Sequence, residues 1–347
     1  VKPETVSSFD INMPNHRILF TALAIFNIGM VGCPIRPSTT RMDTEENAPT
    51  AWTASWSYDD RFVAVGNSEG ELAIYETTDW TKIKSWNFKA TTITKTEWNP
   101  GAPILAVAAF SHDEKTSIIQ LYDISKNHII KNLPDTVQGR GVSWSPSGEE
   151  VAYVGKNGRI TIFTKNGEVL KTLSFSNPGG LFDIDWHPVN GQLVAVEEDI
   201  FLIDIDRDRL LATIDDGTKS KGILACRWHP SGKFFVTGDY GHESEGGEPS
   251  CLKYWTREGT LLKSIKESKS EYRNISWRRD GKYLAAATDV LLVLTENGDV
   301  ISKTKFDDNN LWGIDWNNNG DKIISSDQAG NIRVTDSEGK ILQRFAQ

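Results

Sequence analysis

The stretch GVSWSPSGEEVAYVG, residues 141–155, decides the fold. It reads as strand, tight turn, strand. Pro146 pre-sets its own backbone angle, Ser147 favours the bend, and Gly148 accepts positive φ at little cost. The flanks alternate apolar and polar residues, as half-buried strands do. Val142 and Trp144 share one face, and Val151 and Tyr153 begin the next strand. Nothing in the stretch needs a reactive group.

The pattern recurs along the chain. Seven tryptophans are each followed by a turn and an apolar run: Trp56, Trp98, Trp144, Trp186, Trp228, Trp277 and Trp316, at intervals of 39 to 49 residues. Each unit then supplies two more strand-like runs, such as ELAIYE and KIKSWNF in the first and RITIFT and VLKTLSF in the third. Asn166-Gly167 and Asn297-Gly298 are the turns that tight hairpins prefer. A period near ~40–45 residues with four short strands per unit marks a β-propeller blade. The expected fold is all-β: a seven-bladed β-propeller with four antiparallel strands per blade. The first recognisable strand is the innermost of blade one, and ILQRFA is the outermost of blade seven. Each blade is therefore expected to be contiguous chain, with the ring closing by packing alone.

The WSPSG and WHPSG turns resemble those of the WD-repeat family, in the looser form common in bacterial proteins, over roughly residues 50–345. The family's Trp-Asp pair at the end of the third strand stands here as Tyr122-Asp123, Tyr75-Glu76 and Trp255-Thr256, and its Gly-His pair is absent. The hydrogen-bonded Asp-His-Ser-Trp network of well-matched members is not expected.

By length alone the 347 residues could form two domains. Propeller blades cannot bury their faces singly, so residues 50–347 read as one domain. Seven of the twelve tryptophans are accounted for as large rings filling the gaps between blades. The net charge of −9 argues against nucleic acid, which needs a basic surface. The expected partner is a protein; polyanions are disfavoured, and cationic or neutral surfaces stay open.

Residues 1–32 read as a leader with a signal-like segment. After His16 and Arg17, residues 18–31 are almost wholly apolar, the length of a signal-peptide core and short for a spanning helix. Gly32-Cys33 follows at once, and MVGC resembles the bacterial lipoprotein signal, in which the cysteine carries the lipid. Met30 stands where that pattern usually has Leu, and Pro34 follows the cysteine. Residues 33–49, rich in Pro, Thr and charge, read as a flexible tether. Cys33 is thus the lipidation candidate. The expected location is the cell envelope, with membrane contact only through the N-terminal lipid or anchor; the alternative is a cytoplasmic protein. The propeller itself is expected to be monomeric.

Cys226 and Cys251 fall on the first and third strands of blade five. Their backbones lie about twice the ~4.8 Å strand spacing apart, beyond disulfide reach. Two free, largely buried thiols are expected, and neither sits in a Cys-x-x-Cys pattern.

No nucleophile elbow, phosphate loop, dinucleotide loop or His-Glu-x-x-His appears. His187 and His229 occupy equivalent turns and are explained by the repeat. Connections between strands two and three and between strands four and one emerge on one face. The longest carry His112, Asp113 and Glu114 in blade two, and Tyr240, His242, Glu243 and Glu245 in blade five. With Trp312, these are the partner-binding candidates. Such loops could also ligate a divalent metal, but short acidic loops usually solvate; no metal or cofactor is expected.

Glu97, Asp183, Asp185, Arg227 and Asp315 are the channel-lining candidates. All but Asp183 stand one residue before an anchor tryptophan, where alternation puts them on the opposite face. Asp185 and Arg227 hold equivalent places on neighbouring blades, and an inter-blade ion pair is expected between them. A rigid ring with freely varying loops favours a non-catalytic interaction module. The alternatives are an enzyme or small-ligand binder at the central opening, which would need these carboxylates to converge on an open pocket, and a cytoplasmic scaffold.

Overall fold

Each of the seven innermost strands ends on its anchor tryptophan: Ala51–Trp56, Thr91–Trp98, Gly139–Trp144, Asp183–Trp186, Ile223–Trp228, Asn274–Trp277 and Leu311–Trp316. The structure is a computed structural model that describes residues 48–112, 117–135, 139–155, 158–174, 180–217, 222–241, 249–307 and 309–346. They lie within one compact unit, Glu45–Gln347. Cys33, the leader and most of the expected tether lie outside the described residues.

The 28 strands form seven four-stranded antiparallel sheets, each following chain order from the inside outwards. The chain is a seven-bladed β-propeller built from contiguous blades. Second and third strands are buried on both faces because a blade packs on either side. They therefore read as near-continuous apolar runs, such as FVAVGN and QLVAV. Fourth strands alternate, with exposed and half-buried residues in turn, as in Thr81–Asn87.

The core is not one mass but seven clusters, one per seam between blades. Trp144 packs with Ala106 and Leu121 of blade two, and Trp228 with Val194 and Leu202 of blade four. Trp56 packs with Ile324, Ile332 and Val334 of blade seven, so the ring closes by side-chain packing of the first blade on the last. Removing one such indole would cost about 3–5 kcal/mol.

The turn glycines are held twice. Gly232 has φ of 68° and Gly281 of 75°, a conformation that only glycine adopts freely. A Cβ on either would also lie 2.5 Å from the ring of the preceding blade's histidine, His187 or His229. Those rings sit so close because their Nε2 bonds the turn carbonyls of Gly232 (3.0 Å) and Gly281 (2.9 Å). Nδ1 of His187 accepts the N–H groups of Val189 and Asn190, which leaves Nε2–H to donate. Asn99 plays the same part toward Gly148, donating Nδ2–H to its carbonyl at 2.6 Å. The histidines of the WHP turns thus staple blade to blade.

Two β-bulges recur. The outer one lies between third and fourth strands in all seven blades. It twists the exposed edge strand, a device that discourages edge-to-edge pairing. The inner one positions the site described next.

Candidate interaction site

Along the innermost strands, the residue before the tryptophan reaches across the seam. Trp144 N–H donates to Glu97 Oε1 at 3.0 Å, Trp228 N–H to Asp185 Oδ2 at 2.6 Å, and Trp56 N–H to Asp315 Oδ2 at 2.9 Å. Ser143 and Ser276 accept from Trp186 and Trp316 in the same way. Five blades so clasp the backbone of the next, while Ser55 of blade one meets Thr96 Oγ1 instead. Arg227, at the same register, has no acceptor to offer.

These side chains line a cavity of about 280 Å³ in the channel. Burial pushes Glu97 up to about 7, with Asp185 adding to the rise and Arg227 opposing it. Burial likewise raises Asp185 and Asp315 to about 6. The backbone N–H groups that bond them work in the other direction without winning.

The expected Asp185–Arg227 ion pair is not formed. Arg227 Nη1 instead reaches one step along the channel to Asp183 Oδ2, at 2.8 Å. The reason is reach: the short Asp185 side chain is already held by Trp228 N–H, with Ser143 Oγ on its other oxygen. A long arginine spans to the next layer.

That layer closes the channel. Lys95 of blade two donates from Nζ to both oxygens of Asp183 in blade four (3.1 and 3.3 Å) and to Asn274 Oδ1 in blade six (3.1 Å). Asn274 Nδ2–H then donates to the Trp312 carbonyl at 2.9 Å. Blades that share no seam are thereby tied across the axis. Burial would raise the Asp183 carboxyl, but the charges of Arg227 and Lys95, with hydrogen bonds from Lys95 and Cys226 N–H, hold it below the usual aspartate value. Lys95 and Asn274 line both the 280 Å³ cavity and a second one on the far side.

The second cavity, about 60 Å³, opens at the end of the ring where the connections into the innermost strands emerge. Its wall is a ring drawn from one register, four residues before the tryptophan: Trp52, Thr94, Arg140, Phe182, Leu224, Arg273 and Trp312. Even spacing from the tryptophan should put these side chains between the blades. The inner bulge changes that. Ladder pairing skips Trp52, Thr94, Arg140, Leu224 and Trp312. A bulge re-aims the side chain of the extra residue, here toward the mouth. Phe182 and Arg273 precede the first ladder residues of their strands, Asp183 and Asn274.

The mouth is aromatic and cationic. Trp52 and Trp312 meet edge-on at 4.3 Å between centroids. Arg273 lies over Trp312 at 3.6 Å, and Arg140 over Phe182 at 4.8 Å. Arg273 is balanced by Glu271, which accepts from its Nε at 2.8 Å. Arg140 is not balanced: its Nε is buried without a hydrogen-bond partner, and it has no ion pair among the described residues. Burial, with the nearby Arg273 charge, lowers its pKa.

Of the partner-binding candidates, Trp312 stands in this ring. Tyr240, 40% exposed, lies beside it, with the Arg273 guanidinium 5.9 Å from its ring. His112 is set apart: its Nε2 meets Ser68 O at 3.1 Å and Thr92 Oγ1 at 3.0 Å, tying it to the rim of blade one. Asp113, Glu114, His242, Glu243 and Glu245 lie outside the described residues. Among the described residues no cluster of three or more metal-ligating side chains occurs. Residue-by-residue reading did not single out Trp52, Lys95, Arg140, Phe182, Leu224 or Arg273. A column aligned on the seven tryptophans would have displayed the mouth ring.

The comparisons agree with this architecture. The WD domain, G-beta repeat model matches residues 209–244, which run from the outermost strand of blade four into blade five. The chain is 27% identical over 123 residues to the intraflagellar transport protein 80 homolog of Mus musculus, covering 35% of this chain and 15% of that protein, with the same figures for the Rattus norvegicus homolog. It is 24% identical over 136 residues to a probable cytosolic iron-sulfur protein assembly protein 1 of Candida glabrata, covering 35% of this chain and 38% of that protein. The chain is thus a seven-bladed β-propeller with one stretch that matches the WD domain, G-beta repeat. It spans less than half the length of each of these relatives.

Proposed function

We propose that the chain is a non-catalytic interaction module that seats a protein partner on the mouth face. The observation that carries this reading is the bulge-presented ring, which gathers two tryptophans, a phenylalanine and two arginines at one end of a rigid channel. Trp and Arg, with Tyr as at Tyr240, are the residue types that dominate binding hot spots. The channel carboxylates weigh against an enzyme: Glu97, Asp185 and Asp315 are each engaged by a neighbouring backbone N–H, and Asp183 by two cations. The test is capture of a partner from the native source by the wild-type chain and by a Trp52→Ala/Trp312→Ala variant of equal melting temperature. The reading expects the variant to lose the partner; equal capture would contradict it.

The module's place is proposed to be a cell envelope, held through a lipid on Cys33 and the tether of residues 33–49. The support is the apolar run of residues 18–31 ending at Gly32-Cys33. Intact mass of the protein from its native membrane fraction tests this. A mature chain that begins at lipidated Cys33 is expected, and a chain retaining residues 13–32 would favour a cytoplasmic scaffold or an uncleaved anchor.

A further inference from the structure

We infer that the mouth cavity takes one carboxylate, the tip of an acidic side chain carried by the partner. This rests on the interaction reading above and names the chemistry that the partner must present.

The charges around the cavity leave a single vacancy. Lys95, Arg140 and Arg273 line it, with Asp183 the sole acidic lining residue. Asp183 is held by Lys95 and Arg227. Arg273 is held by Glu271. Arg140 alone is left, with a buried Nε–H unused. A buried donor without an acceptor carries a desolvation cost that a ligand acceptor removes. Set against the carboxylates of Asp183 and Glu271, the three lining cations leave one unmatched charge, which suits a monoanion rather than a dianion; Arg227 lines the other cavity, where Asp185 also faces it.

The size of the space agrees. About 60 Å³ is open to the centre of a water-sized sphere, several times the ~10–15 Å³ that one water needs on that measure. The tip of an acidic side chain, a carboxylate with its adjoining methylene, fits that room. The walls fit as well: Phe182 stacks on Arg140, and Trp52 and Trp312 offer apolar faces to the methylene. A guanidinium held against an aromatic ring is pre-organised, so less side-chain entropy is lost when it binds a carboxylate.

This charge is local. The chain as a whole carries −9, so an extended acidic segment would be repelled outside the mouth. The fitting segment therefore has one acidic residue among neutral or basic neighbours, which also accords with the disfavouring of polyanions by the net charge.

The test pans a random-sequence peptide library displayed on phage against the full chain. Enriched peptides are then synthesised and titrated against the wild-type chain, Arg140→Met and Arg140→Lys. Arg140 has no hydrogen-bond partner to strand among the described residues, and melting curves check that each variant folds. The expected result is an enriched Asp or Glu at one position. Changing it to the amide, or Arg140 to Met, should weaken binding roughly ten-fold or more. Combining the two changes should add little, because they remove one contact.

Acidic peptides that bind Arg140→Met as tightly as wild type would overturn the inference. So would a phosphoserine at the enriched position binding more tightly than glutamate. Enriched peptides without an acidic requirement would sink the carboxylate and leave the interaction reading standing. A library from which nothing is enriched would count against both.

Discussion

Lys95 Nζ lies 3.1 Å from Asp183 Oδ1, although the two residues belong to blades two and four, which share no seam. The contact crosses the axis of the ring and, with Asn274 of blade six, divides the channel. It makes the mouth a shallow seat with a floor rather than the end of a tunnel.

Removing the floor should be costly. Lys95→Met would leave Asp183 one cation short in a buried site and Asn274 Oδ1 without a donor. A loss of about 2–4 kcal/mol is expected in urea unfolding, below the full value for a broken buried pair because Arg227 remains. A double-mutant cycle with Asp183→Asn should give a coupling of ~1 kcal/mol or more. Additive losses would show that the two do not act together.

The clasp carboxylates make stability depend on pH. Glu97 rises from 4.5 to about 7 on folding. The folded state therefore holds the proton more tightly than the unfolded chain. The contribution of Glu97 is complete below about pH 4.5 and is lost as pH rises through about 7. Asp185 and Asp315 act in the same direction through about 6. Glu97→Gln keeps an oxygen for Trp144 N–H and removes the buried charge. At pH 8 it should be more stable than wild type, by roughly 1–3 kcal/mol, and it should flatten the loss between pH 5 and 8. His187, lowered by burial, works oppositely: its contribution is present above the ordinary histidine value and fades as pH falls. A Glu97→Gln melting profile that follows wild type across pH would contradict this account.

Gly232→Ala should cost about 1–3 kcal/mol through positive φ alone, with a further penalty from the His187 ring 2.5 Å away. His187→Ala should recover only that further penalty. Gly101→Ala, where a Cβ meets nothing within 4 Å, is the control and should be near neutral. Equal effects at the two glycines would remove the turn argument.

Cys226 and Cys251 are both buried, and burial, with Asp183 nearby, pushes the Cys226 thiol well up. A thiol reagent should reach neither in the folded chain and both after denaturation. Rapid labelling of either under native conditions would contradict the packing of blade five.

Much of the ring was legible because its signals are local. The seven tryptophans, the turn chemistry of residues 145–148 and the buried apolar runs all repeat on one period. That Cys226 and Cys251 do not bridge each other followed from strand order alone. The mouth was not legible, because alternation sends Trp52, Arg140 and Trp312 into the seams, and the bulges that turn them out leave no local mark. The partner of Arg227 was missed for a related reason. Register places Asp185 beside it, while side-chain length and the prior claim of Trp228 N–H on Asp185 decide for Asp183.

The most direct test of the interaction surface is site-specific photo-cross-linking in the native source. One probe replaces Tyr240, beside the mouth, and another replaces Val189, 76% exposed on the opposite face. The account predicts a discrete protein adduct from position 240 and none from 189. An adduct from 189 alone, or from neither position, would contradict it.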